Sequence, residues 1–317
     1  MDEIRIASLF NPLVDFVIFE GDVKDLLSDI PDEFVQLVVT SPPYNIGKPY
    51  ERKKIKFDDY IEQQEAIISE CVRILSNKGS ICWQVGNYID KSEIIPLDIV
   101  LFPIFKKFGL HLRNRIVWYF GHGLHASKRF SGRYEVILWF TKTNNYYFNF
   151  DSIRIPQKYP QKKYYKGPKK GELSGNPHGK NPSDIWEIPN VKANHIEKTI
   201  HPCQFPVELV ERLVLSLTEP GDWIFDPFMG VGSTAIAALL HQRKAIGAEI
   251  IHEYSQLAIK RVHDAESGKL RIRPMERPIY DPNDKDNYIP PINVQLKKSS
   301  QQMLFERRKR YKKGGKK

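Results

Sequence analysis

Residues 223–240 read Trp223-Ile224-Phe225-Asp226-Pro227-Phe228-Met229-Gly230-Val231-Gly232-Ser233-Thr234-Ala235-Ile236-Ala237-Ala238-Leu239-Leu240. An apolar strand-like run, a turn carrying two glycines and a run of strong helix formers follow one another without a spacer. Gly230 and Gly232 permit a tight turn and a close approach of backbone to ligand. The start of the helix, at Ser233 and Thr234, offers unpaired N–H groups and the positive end of a dipole. A further apolar run, Ala245-Ile246-Gly247-Ala248, ends at Glu249. An acid somewhat under 20 residues beyond the glycines, at the end of a second strand, is placed to accept hydrogen bonds from ribose hydroxyls. Strand, glycine turn, helix and acid in this register predict a nucleotide-type site at the carboxyl edge of a parallel sheet.

A second stretch, far upstream, complements the first. Leu37-Val38-Val39 reads as a buried strand and runs into Thr40-Ser41-Pro42-Pro43-Tyr44. Neither proline can donate to a sheet ladder, so the strand must end there in a rigid loop. That loop presents a hydroxyl, a proline carbonyl and an aromatic ring, a set suited to a planar substrate bearing an exocyclic NH2 group.

The rest of the chain supplies the remaining layers. Phe16 to Phe19 reads as a strand, and Val23 to Ser28 as a short helix after Glu20-Gly21-Asp22. A polar flap spans Asn45 to Lys56. Phe57 to Leu75 carries a mainly apolar stripe at helical spacing, with Asn77-Lys78-Gly79 as its stop and Ser80 to Val85 as the next strand. A helix from about Pro96 to Phe108 is capped by Gly109. Arg115 to Phe120 and Tyr134 to Thr141 read as strands, and Val207 to Leu217 as an amphipathic helix. Alternating strands and helices imply an α/β sandwich.

Together, Ser-Pro-Pro-Tyr and the later Phe-x-Gly-x-Gly resemble the S-adenosylmethionine-dependent DNA amino-methyltransferases, which methylate cytosine N4 or adenine N6. The catalytic motif precedes the cofactor motif, as in the family's beta-class permutation among bacterial modification enzymes. The resemblance covers roughly Phe19 to Arg261. It implies a Rossmann-like methyltransferase sandwich with a predominantly parallel sheet, permuted motif order and an inserted target-recognition region. The implied organisation is a catalytic half over residues 1–143, target recognition over 144–199, a cofactor half over 200–273 and a basic extension over 274–317.

The resemblance also assigns residues. Ser41, Pro42, Pro43 and Tyr44 become the catalytic loop. Hydrogen bonds from the amine to Ser41 and to the Pro42 carbonyl would localise the nitrogen lone pair for attack on a sulfonium methyl. Tyr44 would stack on a base flipped from the duplex, since the amine inside a helix is out of reach. Asp226, Pro227, Phe228, Gly230, Gly232, Ser233, Thr234 and Glu249 become cofactor residues. Asp22 either lies beside the cofactor adenine or simply caps the following helix. No residue stands out as the base that takes the amine proton. Serine before Pro-Pro-Tyr leans toward cytosine N4 over adenine N6. Methylation of RNA or of a protein glutamine is a further reading, and the basic insertion argues against a protein substrate.

Within that insertion, Arg154, Lys158, Lys162, Lys163, Lys166, Lys169 and Lys170 occur without one intervening acid, interleaved with Tyr159, Tyr164 and Tyr165. Composition alone suggests a solvated loop. Position in the family layout makes it a contact to double-stranded DNA, with lysines on phosphates. Pro202-Cys203-Gln204 matches the nucleophile motif of the cytosine C5 methyltransferases, but there the motif follows the glycine loop by many residues, whereas here it precedes it. Cys203 and Phe205 are therefore expected to line the cofactor or core. His122 and His125, three apart, lack a third ligand nearby, so no metal site is expected.

Composition agrees with this picture. A net charge of +10 and a pI near 9.3 fit a polyanionic partner. Three cysteines without paired spacing fit a reducing cytoplasm, and no apolar run is long enough for a bilayer. Modification enzymes of this kind commonly partner a restriction endonuclease acting on the same site, an analogy and not a reading of residues. Phe305 to Lys313 is either a helix laid on DNA or a solubilising tail.

Overall fold

The computed structural model describes residues 4–48, 51, 54–121, 123, 125–192 and 194–275. The basic stretch Phe305 to Lys313 and His122 lie outside the described residues. Nine strands form one sheet: β1 (Ile6–Ala7), β2 (Phe16–Glu20), β3 (Val35–Thr40), β4 (Leu75–Val85), β7 (His111–Tyr119), β8 (Tyr134–Thr141), β9 (Ile185–Glu187), β10 (Trp223–Asp226) and β11 (Lys244–Glu249). Their spatial order is β1-β2-β11-β10-β3-β4-β8-β7-β9. The pairs from β1 through β4 are parallel, β8 runs antiparallel to β4 and β7, and β9 closes the edge parallel to β7. A separate hairpin joins β5 (Asn87–Asp90) and β6 (Glu93–Pro96).

Because side chains alternate across a strand, the sheet carries two cores. Leu37, Val39, Cys82, Ile224 and Ala245 face α4 (Val207–Leu217), α5 (Ser233–Leu240) and α6 (His252–Glu266). Val38, Ile81, Trp83, Phe225 and Ile246 face α1 (Val23–Leu27), α2 (Phe57–Ile74) and α3 (Leu97–Lys107). Continuous burial of strands such as Phe225 and Val38, both at 0% exposure, is what a sheet covered on both faces requires.

The site is fixed by what happens between β3 and β10. Leu37 pairs with Ile224 and Val38 with Phe225, so motifs far apart in sequence end side by side. After β3 the chain crosses to β4 through α2 on one face. After β10 it crosses to β11 through α5 on the other. Opposite crossovers from adjacent parallel strands create a switch point, where a crevice opens beyond the carboxyl ends.

The structure departs from the sequence reading in several places. Asn77-Lys78-Gly79 does not end a helix in a loop; α2 passes directly into β4, and residues 76–79 bulge between the Val35–Leu75 and Leu37–Ser80 pairs. A Cβ on Gly79 would lie 2.6 Å from Leu75 Cδ1 and 2.9 Å from the Gln36 carbonyl, so the bulge needs glycine there. The β5–β6 hairpin and the edge strand β9 are too short to show a period in sequence.

Candidate active site at the sheet switch point

Asp226 is the joint of the site. It closes β10, is fully buried, and accepts hydrogen bonds from Thr40 Oγ1 at 2.6 Å and Thr234 Oγ1 at 2.6 Å, with Phe228 N at 3.1 Å. Thr40 is the last residue of β3 and Thr234 lies in the first turn of α5. One carboxylate thus ties the proline loop to the glycine loop and to the helix that follows. Burial pushes its pKa up to about 6, against the lowering effect of those three bonds. Its place is beneath the two loops, where it shapes them from within the core.

In the proline loop, Pro42 is buried and Ser41, Pro43 and Tyr44 are half-buried. The Tyr44 hydroxyl gathers a network: Ser41 Oγ at 3.3 Å, Gln84 Nε2 donating at 2.8 Å, and its own proton directed to Glu135 Oε2 at 3.4 Å. Gln84 also donates to Glu135 Oε2 at 2.5 Å. Gln84 belongs to β4 and Glu135 to the start of β8, neighbouring strands whose ends reach the crevice. Burial raises the Glu135 pKa, while bonds from Gln84 and Tyr44 and the charge of Lys192 pull it down. Gly86 leaves room for the pair: a Cβ there would lie 3.0 Å from Tyr44 Cε2 and 3.2 Å from Glu135 Oε1. Sequence reasoning missed Gln84 and Glu135. The available signal was a polar residue set in an otherwise apolar run, 81–85, and an acid immediately before another, 136–140.

The glycine loop is organised through its backbone. Gly230 and Gly232 take φ of +55° and +80°, the left-handed region that side chains disfavour. A Cβ on Gly232 would stand 3.0 Å from Ala258 Cβ. Gly230 N donates to Glu249 Oε2 at 2.9 Å and Ile251 N to Glu249 Oε1 at 2.8 Å, so the loop and the acid position each other. Burial raises the Glu249 pKa against these bonds. Pro227 is buried and Phe228 half-buried, its ring edge-on to Trp83 at 6.4 Å.

Segment 197–206 lies against this loop. Ser233 Oγ donates to the Phe205 carbonyl at 3.0 Å, and the position of a Gly230 Cβ is 3.6 Å from His201 Nε2. His201 packs edge-on to Tyr254 at 4.7 Å; burial first, then Lys198 and Arg261, depress its pKa to about 4, so the ring is neutral at physiological pH. His201, like Gln84, was not singled out from sequence. Cys203 is exposed, which removes it from the core half of its expected role. Asp22 caps α1 by accepting from Lys24 N at 3.0 Å, and nearby Glu20 pairs in register with Glu249, so it sits at the same sheet edge as the glycine loop.

The insertion is anchored by β9 and by Trp118 Nε1 donating to the Ile188 carbonyl at 2.7 Å. Lys158, Lys162, Lys163, Lys166, Lys169 and Lys170 are exposed, as are Tyr159 and Tyr165. Turns hold their segment together: Tyr164 N bonds to the Glu172 carbonyl at 2.9 Å and Ser174 N to the Lys162 carbonyl at 2.8 Å. Arg154 differs from these lysines. It bonds to Asp151 at 2.6 Å and to the Gly179 carbonyl at 3.0 Å and covers the Phe150 ring, so its charge is spent inside the insertion. Among the described residues no cluster of His, Cys, Asp or Glu could hold a metal ion, and no helix is long and apolar enough to cross a membrane.

A Rossmann-like sheet with a proline loop and a glycine loop side by side at its switch point has the layout of a nucleotide-cofactor enzyme. The sequence profile of the N6_N4_Mtase family, DNA methylase, matches residues 35–260, and the chain belongs to that family. It is 55% identical to the Type II methyltransferase M.BglII of Bacillus subtilis over 76% of this chain and 67% of that one. It is 34% identical to the DNA adenine methyltransferase YhdJ of Escherichia coli strain K12, over 77% and 82% of the two chains. The structure resembles the cytosine-N4-specific PvuII DNA methyltransferase with a TM-score of 0.62 at 22% identity, covering 77% of this chain and 85% of that one. It also resembles TTHA0409 of Thermus thermophilus, solved with S-adenosyl-L-methionine, at a TM-score of 0.54 and 26% identity, over 77% and 92% of the two chains.

Proposed function

We propose that this DNA methyltransferase acts on N4 of a cytosine flipped out of double-stranded DNA, using S-adenosylmethionine, and protects its sites from a cognate restriction endonuclease. The observation that carries the reading is the Thr40–Asp226–Thr234 bridge, which ties the proline loop to the glycine loop, the juxtaposition that transfer from a bound cofactor to an amine requires.

The residues fit the cofactor. The left-handed turn at Gly230 and Gly232 keeps a side-chain-free approach, and Glu249, held by two backbone amides, retains lone pairs for ribose hydroxyls. Asp22 meets the adenine edge, while Pro227, Phe228, Phe205, Cys203 and neutral His201 form the walls. S-adenosylmethionine, when bound, would supply the methyl group. The chain's own work is positioning and electrostatics. Ser41 Oγ and the Pro42 carbonyl accept the two amine hydrogens, and Pro43 keeps the loop rigid. Tyr44 stacks on the extruded base and offsets part of a flipping cost of about a few kcal/mol. The exposed lysines of 158–170 neutralise phosphates.

The base is proposed from Ser41: a serine, not an aspartate, precedes Pro-Pro-Tyr. The likeness to YhdJ supports a second reading, adenine N6. Mass spectrometry of nucleosides from unmodified plasmid DNA incubated with protein and S-adenosylmethionine decides between them. N4-methylcytosine is expected, N6-methyladenine would establish the second reading, and C5-methylcytosine or no methylated base would overturn both.

A further inference from the structure

Methylation leaves one proton to dispose of. The amine nitrogen gives its lone pair to the new N–CH3 bond, becomes cationic, and returns to neutrality only by losing a proton. Within the crevice the hydrogen-bond chain has a defined polarity. Tyr44 has one hydroxyl proton, and it points to Glu135 Oε2. Tyr44 accepts from Gln84. Ser41 must then be the donor in its 3.3 Å bond to Tyr44, which leaves the Ser41 lone pairs turned to the substrate amine. The chain therefore runs from the amine through Ser41 and Tyr44 and ends on a carboxylate.

We propose that Glu135 is the proton acceptor of the reaction, reached through Ser41 and Tyr44. The amine proton passes to Ser41 Oγ as the Ser41 proton moves to Tyr44 and the Tyr44 proton to Glu135 Oε2. One N–H bond is broken, one carboxyl O–H bond is made, and both hydroxyls end with one proton each. The chain is then reversed, with Glu135 donating to Tyr44 and Tyr44 to Ser41. Glu135 Oε1 accepts no hydrogen bond among the described residues, and the residue is only half-buried, which gives the carboxyl a way to release its proton to solvent. Burial holds its pKa above the ordinary carboxylate value, which makes it a better acceptor than an exposed glutamate. The charged and titratable groups facing it are Tyr44 from the loop after β3 and Lys192 from the segment after β9; Gln84 of β4 is neutral.

This inference rests on the amino-methyltransferase reading, and the experiment separates the two. Full-length wild-type protein and E135Q are compared on unmodified plasmid DNA in single-turnover methylation across a pH series. Cofactor affinity is measured by calorimetry and DNA affinity by anisotropy. E135Q keeps the size of the side chain and one acceptor oxygen for Tyr44 and Gln84 but cannot take up the proton. Expected is a loss of about 10²–10⁴-fold in rate for E135Q, with both affinities unchanged. The wild-type rate rises with pH through the carboxyl ionisation, and that limb is absent in E135Q. A purely structural role would not remove the limb. E135D, which restores a carboxylate, should recover part of the rate and the limb. E135Q with the wild-type rate and pH profile overturns the assignment. Should E135Q fail to fold, a pH-independent wild-type rate overturns it equally. If the wild type methylates no base in DNA, it is the functional reading that fails.

Discussion

The loops after β3 and β10 leave adjacent strands at the same sheet edge, yet they are built by opposite means. The first is stiffened by Pro42 and Pro43 and presents side chains: Ser41, Tyr44, and through them Gln84 and Glu135. The second is shaped by Gly230 and Gly232 and presents backbone. Under the proposed function the first loop would act on a small amine, which needs directed lone pairs, and the second would cradle a large cofactor, which needs the absence of side chains. Substitutions in the two loops should consequently fail in different ways.

The largest effect is expected in the glycine loop. Gly232→Val puts a β-branched side chain at a φ of +80°, with its Cβ 3.0 Å from Ala258 Cβ. Strain and clash together should destabilise the protein by about 3 kcal/mol or more. Thermal unfolding should show that loss, and calorimetry the loss of S-adenosylmethionine binding. A normal melting temperature would mean that the loop is not rigid in the way the contrast requires. Ser41→Ala, in the other loop, should leave melting and cofactor affinity intact. Removing one directed acceptor should lower kcat by about 10²-fold; a change in KM for the cofactor instead would erase the distinction between the loops.

Asp226 belongs to both loops, and its titration sharpens the comparison. Its folded pKa, about 6, is raised by burial above the ordinary 3.8. A carboxyl shifted upward stabilises the fold fully below its unfolded pKa, and that contribution fades as pH rises through the folded one. Asp226→Asn cannot titrate. The stability of the wild type relative to Asp226→Asn, measured by urea unfolding, should therefore fall between about pH 4 and pH 6, by an amount on the order of 2–3 kcal/mol. A pH-independent difference would show that burial leaves the carboxyl of the joint unshifted on folding.

The contrast also explains what could be read from sequence. Glycine, proline and apolar runs constrain the local backbone, so both loops, α4 and β8 were legible, whereas the order of the strands was not. The 76–79 bulge was hidden because Asn77-Lys78-Gly79 looks like a helix stop in isolation, and only the pairs Val35–Leu75 and Leu37–Ser80 on either side of it draw the segment into β4. Asp226 was legible as part of a motif but not as the joint, since its partners Thr40 and Thr234 are brought to it by the parallel register of β3 and β10. Glu135 was hidden for the same reason. An acid opening an apolar strand carries no local sign of a tyrosine reaching it from another loop.

The smallest effect is expected where side chains touch nothing else. Lys162, Lys163 and Lys166 are exposed on a turn held by its own backbone bonds, so replacing all three by alanine should leave the melting temperature and the chemical step alone. If they neutralise phosphates, each releases counterions, and the slope of log affinity against log salt should flatten by about 0.9 per lysine. The loss should be the same on DNA with and without the methylated site, because phosphate contacts carry no sequence information. Arg154, held by Asp151, Gly179 and Phe150, supplies the internal control: Arg154→Ala should lower stability and leave the salt slope unchanged. A slope that moves with Arg154 and not with the lysines would transfer the DNA contact from the tip of the insertion to its base.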